Sequence, residues 1–177
     1  MTNKKEAREA KSAMLRERQT SRGLVFHSRE YQRAAQLIAD QVGTDDVTGG
    51  LKDTVYHNPF YYLCGHSLEL SIKSTLLAAG RSHAELTAMG HDLARCLEEA
   101  RSSYPTYDWD GYQDIVSLLN QSYVTKELEY RITGAKEWPL VIPLLFVVDE
   151  FWRWSHAIVH GGNPPKLDFG GAALKPN

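Results

Sequence analysis

Along most of the chain the apolar residues recur every three or four positions, and joints containing Gly or Pro cut that pattern into helices. The first pattern runs from about Glu6 to Gln41, with Gly23 as a break. Leu24, Tyr31, Ala34, Ala35, Ile38 and Ala39 mark the inward side of its second half, and its first half, rich in Lys, Arg and Glu, is expected to be solvated or frayed. A loop from Gly43 to His57 follows, containing GTDDVTGG. Asn58 and Pro59 then form a start signal, a cap followed by a residue that needs no amide hydrogen, for a helix over Phe60 to Ala79. On that helix Phe60, Leu63, Cys64, Ser67, Leu70, Ser74 and Leu77 share one face, and Leu68, Ile72 and Leu76 widen the buried surface. Tyr62, His66, Glu69 and Lys73 remain as a narrow polar strip. A helix apolar over most of its circumference belongs in the middle of a bundle, where Gly65, Ser67, Ser71 and Ser74 let neighbours come close and Gly80 provides the stop.

Ser82 and Glu85 make a capping box for a short element closed by Gly90, and Asp92 caps a helix through about Arg101 with Leu93 and Leu97 inward. After the turn-rich stretch 102–108, Tyr112, Ile115, Val116 and Leu119 predict a helix from Trp109 to Tyr123. Arg131 to Pro139 reads as a loop. The last helix starts near Leu140 or Pro143 and ends at His160, before GGNPP, and the tail LDFGGAALKPN has no period. No two β-rich runs are joined by a turn dipeptide. The expectation is an all-α, up-and-down bundle in a single domain, residues 1–177, with its core over 24–160, a charged extension of the first helix over 1–22 and an irregular tail over 161–177.

Composition narrows the function classes. With 42% hydrophobic and 24% charged residues the chain has the balance of a globular protein rather than a disordered one. Its net charge of −2 excludes duplex binding through the whole surface, so any nucleic-acid role must rest on a local patch. Two cysteines, Cys64 and Cys96, are too few for a disulfide framework and fit a reducing compartment. The charged N-terminus MTNKKEAREAKSAMLRERQ lacks the apolar core of a secretion signal, and the apolar run from Leu140 to Val148 is too short to span a bilayer. A cytoplasmic location with no membrane segment is expected.

The central helix with Glu69, Leu70 and Lys73 in HSLELSIKSTLLAAG, followed after a spacer by GHDLARCLEEA, resembles the HEPN superfamily, as does the spacing of Arg153 and His160 in RWSHAIVHGG. The resemblance covers about Asn58 to His160. It implies a bundle of four or five helices and a metal-independent endoribonuclease of toxin or defence type, with no cofactor, working as a homodimer. An antitoxin or a nucleotidyltransferase is the protein partner it implies. In that family an arginine and a histidine on the last long helix form the site, which here are Arg153 and His160 with six residues between them. Where the family commonly has a polar residue after the arginine, this chain has Trp154.

On a helical wheel Val147, Val148, Phe151, Trp152, Trp154, Ile158 and Val159 span one broad face, and Asp149, Arg153, His156 and His160 lie on the opposite one. Metal-free RNA cleavage needs a base for the 2′-hydroxyl proton, an acid for the leaving oxygen and positive charge at the phosphate. Histidine and arginine supply these, with His160 in proton transfer, His156 assisting and Arg153 on the phosphate. Glu69, on the polar strip with His66, is expected to orient Arg153 from behind, and Asp149 to support it at i,i+4.

Two other readings stay open. Asp149 with Arg153, and cations near a helix C-terminus, are also what an ordinary solvated helix end carries, which leaves a non-catalytic module that binds a nucleotide or a protein. His57 or His66, then His91 with Asp92, then Asp149 follow the order of HD-type metal phosphohydrolases, although Asp92 already has a use as a helix cap. No Walker loop, glycine-rich dinucleotide turn, paired CxxC or GxSxG elbow occurs. The aromatic group Trp138, Phe151, Trp152 and Trp154 reads as core or dimer interface rather than a base-stacking platform.

Overall fold

The computed structural model describes residues 11, 19–107, 109–129 and 137–164. Residues 1–10 and 12–18 of the charged extension, the tail from 165 onward and residues 131–136 of the expected loop lie outside the described residues. The rest is all-α: α1 (Ser21–Val42), a 3-10 turn (Thr54–Tyr56), α2 (His57–Ala78), α3 (His83–Ala88), α4 (Leu93–Ser103), α5 (Asp110–Tyr123) and α6 (Val141–Val159). Among the described residues the only strand-like pairing is the isolated bridge between Thr44 and Leu51. No described helix is long and apolar enough to cross a membrane.

The local signals account for most of the boundaries. Ser82 and Glu85 close the capping box on α3, and Asp92 caps α4 by accepting from the Arg95 amide at 3.1 Å. At the end of α2 the amide of Arg81 reaches the Leu76 carbonyl and that of Gly80 reaches Leu77, a closure that needs Gly80 at φ 92°. Two expectations are corrected. Thr20 caps α1 by accepting from the Gly23 amide at 3.0 Å, so Gly23 lies in the first turn and does not break the helix. Asn58 does not cap α2, which starts at His57 on the 3-10 turn that Asp53 initiates. Pro59 is tolerated because the amides of a first turn have no intrahelical partner to lose.

α2 is the centre, packed against α1, α4, α5 and α6. Phe60, Tyr61, Cys64, Leu68, Ile72 and Leu76 are buried along it, and they meet Leu93 and Cys96 of α4, Val116 and Leu119 of α5, and Val148 and Phe151 of α6. Toward α1 and α6 the contact is polar and close. Ser28 of α1 donates to the Ser67 carbonyl at 3.0 Å and shares a hydroxyl contact with Ser71 at 2.6 Å, while the Ser67 hydroxyl donates to the Ser28 carbonyl at 2.9 Å. Ser155 of α6 donates to the Ser71 carbonyl at 2.9 Å. Small side chains bring the three backbones together, and hydrogen bonds satisfy the hydroxyls that burial takes from water.

The loop after α1 holds the start of α6. Asp45 accepts from the amides of Val47 and Thr48 at 3.1 and 2.8 Å and shapes a turn that puts Gly49 at φ 64°. The Gly49 carbonyl accepts from the Val141 amide at 3.0 Å, and a Cβ at Gly49 would meet Leu140 at 2.8 Å.

Gly65 shows the same closeness on the other side of α2, because a Cβ there would stand 2.5 Å from the Tyr123 ring. Gly65→Ala is therefore expected to lower stability by about 1–3 kcal/mol, the usual range for overpacking. Urea unfolding measures it, and a midpoint equal to the parent's would mean that Tyr123 yields without cost.

Candidate functional site

The outer side of α6 carries the predicted residues. Asp149, Arg153, His156 and His160 follow one another at helical spacing, and the structure brings them together with two residues of α1 that the sequence pattern did not single out. The Asp149 carboxylate joins the two helices. Its Oδ1 accepts from Arg29 Nη1 at 2.9 Å and from Gln32 Nε2 at 2.7 Å, and its Oδ2 takes the Arg153 Nε at 2.5 Å. Partial burial works to raise the Asp149 pKa, but hydrogen bonds from Gln32 and Arg29 and the charge of Arg153 outweigh it and hold the carboxyl below its ordinary range.

Aromatic and cationic groups extend from there as a column. The Arg29 guanidinium carbon sits 3.9 Å from the centroid of Trp152, Trp152 and His156 are 5.1 Å apart at 39°, and His156 and His160 stack at 4.2 Å and 26°. His160 Nδ1 approaches the His156 carbonyl at 2.9 Å, which fixes the second ring over the first. His156 and His160 are exposed, and the Arg153 side chain is 59% exposed. Desolvation first, then the neighbouring His160 and Arg29, push the His156 pKa down, which favours its neutral form.

The tryptophans part company here. Trp154 is buried among Tyr104, Tyr107, Trp109 and Phe151, so the position after Arg153 points into the core and its side chain serves packing. Trp138 stacks on Tyr61 at 4.6 Å. Trp152, expected on the apolar face, is half-buried and belongs to the site, because it lies one helical turn before His156 and under Arg29.

Glu69 does not back Arg153. It is buried, and it forms a separate polar cluster: Oε1 accepts from Lys73 Nζ at 2.6 Å, and Oε2 accepts from Tyr123 OH at 2.7 Å and from His91 Nδ1 at 2.9 Å. Lys73 also donates to the Gly90 carbonyl at 2.6 Å. Since the single Tyr123 hydroxyl hydrogen goes to Glu69, the 3.0 Å contact between His66 Nδ1 and Tyr123 OH has the imidazole as donor. His66 is then neutral at Nε2, in line with the fall in its pKa that burial causes. The polar strip of α2 is thus an internal network tying α2 to α5 and to the turn before α4. It borders a cleft of about 260 Å³ lined by Gln19, Leu24, His66, Glu69, Lys73 and His83.

The HD-type arrangement is not formed. His57 approaches the Leu51 carbonyl, His91 faces Glu69, Asp92 caps α4 and accepts from Asn120 at 3.0 Å, and Asp149 is held by Arg29 and Arg153. Among the described residues no group of three His, Cys, Asp or Glu side chains gathers as a metal site would require. No family model, curated protein or solved structure matches the chain.

The Glu69 cluster has a measurable signature. Burial alone would raise the Glu69 pKa, but the Lys73 charge and the hydrogen bonds from Lys73, His91 and Tyr123 bring it below its ordinary value of 4.5. A carboxyl whose folded pKa is depressed adds stability above its unfolded pKa and loses that contribution as pH falls through the folded one. Glu69→Gln, which leaves the partly buried Lys73 ammonium with only the Gly90 carbonyl, is expected to cost about 1–3 kcal/mol at pH 7. The deficit should shrink as the pH of a denaturant titration is lowered from 4.5. A deficit that stays constant with pH would show that the charge of Glu69 contributes nothing.

Proposed function

We propose that the protein is an HEPN-like, metal-independent endoribonuclease of toxin or defence type that works as a homodimer, with the outer side of α6 as its site. One observation carries the reading: exposed Arg153 stands beside an exposed, stacked pair of imidazoles at the end of the last helix. Arg153 binds the phosphate and offsets the charge that develops on it. His156, held toward its neutral form, takes the 2′-hydroxyl proton as the 2′-oxygen attacks phosphorus. His160 gives a proton to the departing 5′-oxygen, leaving a cyclic 2′,3′-phosphate.

In-line attack places base and acid on opposite sides of the phosphorus. Two rings stacked at 4.2 Å approach from one side only, so a second copy related by a twofold axis supplies the other. Each phosphate is cut between His156 of one protomer and the same helix end of its twin.

A second reading is favoured by Asp149, which already engages both guanidiniums, as a recognition site that never cuts would. This is the non-catalytic module, binding a nucleotide or a protein partner such as an antitoxin or nucleotidyltransferase.

Incubation with structured RNA in excess chelator separates the two. Cutting to cyclic-phosphate ends is expected, with Arg153→Ala and His160→Ala each reducing the rate by about 100-fold or more, the scale of a lost phosphate ligand or proton donor. Equal cutting by parent and variants would remove α6 from the chemistry, and binding without cutting would select the second reading.

A further inference from the structure

The proposed chemistry uses one arginine, but the structure places two at Asp149. Each oxygen of that carboxylate holds one guanidinium, Oδ1 that of Arg29 and Oδ2 that of Arg153. The bonds leave most of each fork free. Arg29 spends Nη1 on Gln32 at 2.6 Å and on Asp149 at 2.9 Å, which uses both hydrogens of that nitrogen and leaves the edge made by Nη2 and Nε. Arg153 spends Nε and leaves both terminal nitrogens. Neither free edge has a partner among the described residues. Glu150, next to Asp149 on α6, is close enough to Arg153 and Asp149 for their charges to act on it, so the free donor edges rather than a net positive charge are what this place offers an anion.

Arg29 is held as a recognition side chain has to be. Trp152 supports its plane at 3.9 Å, Gln32 and Asp149 set its rotation, and its side chain remains 31% exposed. A side chain fixed this way loses little freedom on meeting an anion. A paired, planar set of N–H donors suits phosphoryl oxygens better than any other anion abundant in a nucleic acid.

We propose that Arg29 and Arg153 form a carboxylate-bridged clamp for the backbone phosphate of an RNA strand, in which Arg29 of α1 is a second direct phosphate ligand. The proposal rests on the reading of α6 as an RNA site. Asp149 spaces the two forks, and Trp152 keeps the first from swinging away. The imidazole pair at the end of α6 lies beyond the clamp along the column, so the strand is gripped on one side of the bond that is cut.

The test measures binding apart from cutting. A 5′-hydroxyl, 2′-O-methyl oligonucleotide of mixed sequence has no 2′-hydroxyl and cannot be cleaved, and the full chain is titrated into it at several salt concentrations. Arg29→Gln is expected to weaken binding about tenfold and to reduce the slope of log Kd against log salt by about 0.7, the share of one phosphate on a single strand. Arg29→Lys keeps a charge and loses the fork, so it should keep the slope and still bind more weakly. If Arg29→Gln leaves affinity and slope at parent values while Arg153→Gln lowers both, the clamp is overturned and the functional reading stands. No binding by the parent overturns both. A strand that binds only when it carries a 5′-terminal phosphate overturns the assignment to the backbone. Thermal melts of each variant check folding, and if Arg29→Gln does not fold, the affinity of Arg29→Lys decides.

Discussion

A helix enclosed on nearly every side has no water to turn to, and that constraint on α2 governs the rest of the molecule. Each polar group on it must find a protein partner or be paid for in stability. Its serines find theirs on α1 and α6, at Ser28 and Ser155, and its Glu69 finds Lys73, His91 and Tyr123. The first set brings three backbones together and the second draws α5 and the turn before α4 onto the same helix. Apolar packing fills the space between, but the hydrogen bonds decide which faces meet.

The site on α6 is a product of that arrangement. Ser155 turns inward to Ser71 while Arg153 and His156, its near neighbours in sequence, turn outward. The serine contact of α1 with α2 brings α1 alongside α6, and only then do Arg29 and Gln32 reach Asp149. The two clusters of ionisable groups therefore do different work. One is enclosed and holds the bundle, and the other is exposed and free to meet a ligand.

Much of this was legible in the sequence where it depended on neighbours along the chain. The capping box at Ser82, the cap at Asp92, the stop at Gly80 and the end of α6 near His160 all follow from local backbone chemistry. The pairing of Asp149 with Arg153 follows from helical spacing. What could not be read was distant in sequence. Arg29 and Asp149 are 120 positions apart, and Glu69 and Tyr123 are 54 apart, so no periodicity relates them. The polar strip of α2 suggested a partner for Glu69 on the last helix, and only the arrival of α5 and of the turn before α4 shows that Tyr123 and His91 take that place. Trp152 was misplaced for a simpler reason: a wheel assigns a large aromatic to the apolar side, whereas a cation above it lets the ring lie at the boundary.

The contact between the Gly49 carbonyl and the Val141 amide sits at the opposite end of α6 from the histidines. A helix of 19 residues is roughly 28 Å long, and it behaves as a stiff rod over that span. A tilt of about five degrees at its first turn would carry the other end through roughly 2.5 Å, more than any hydrogen bond at that end can absorb. The loop after α1 is thus a fulcrum, and sequence changes in it will be felt where it makes no contact.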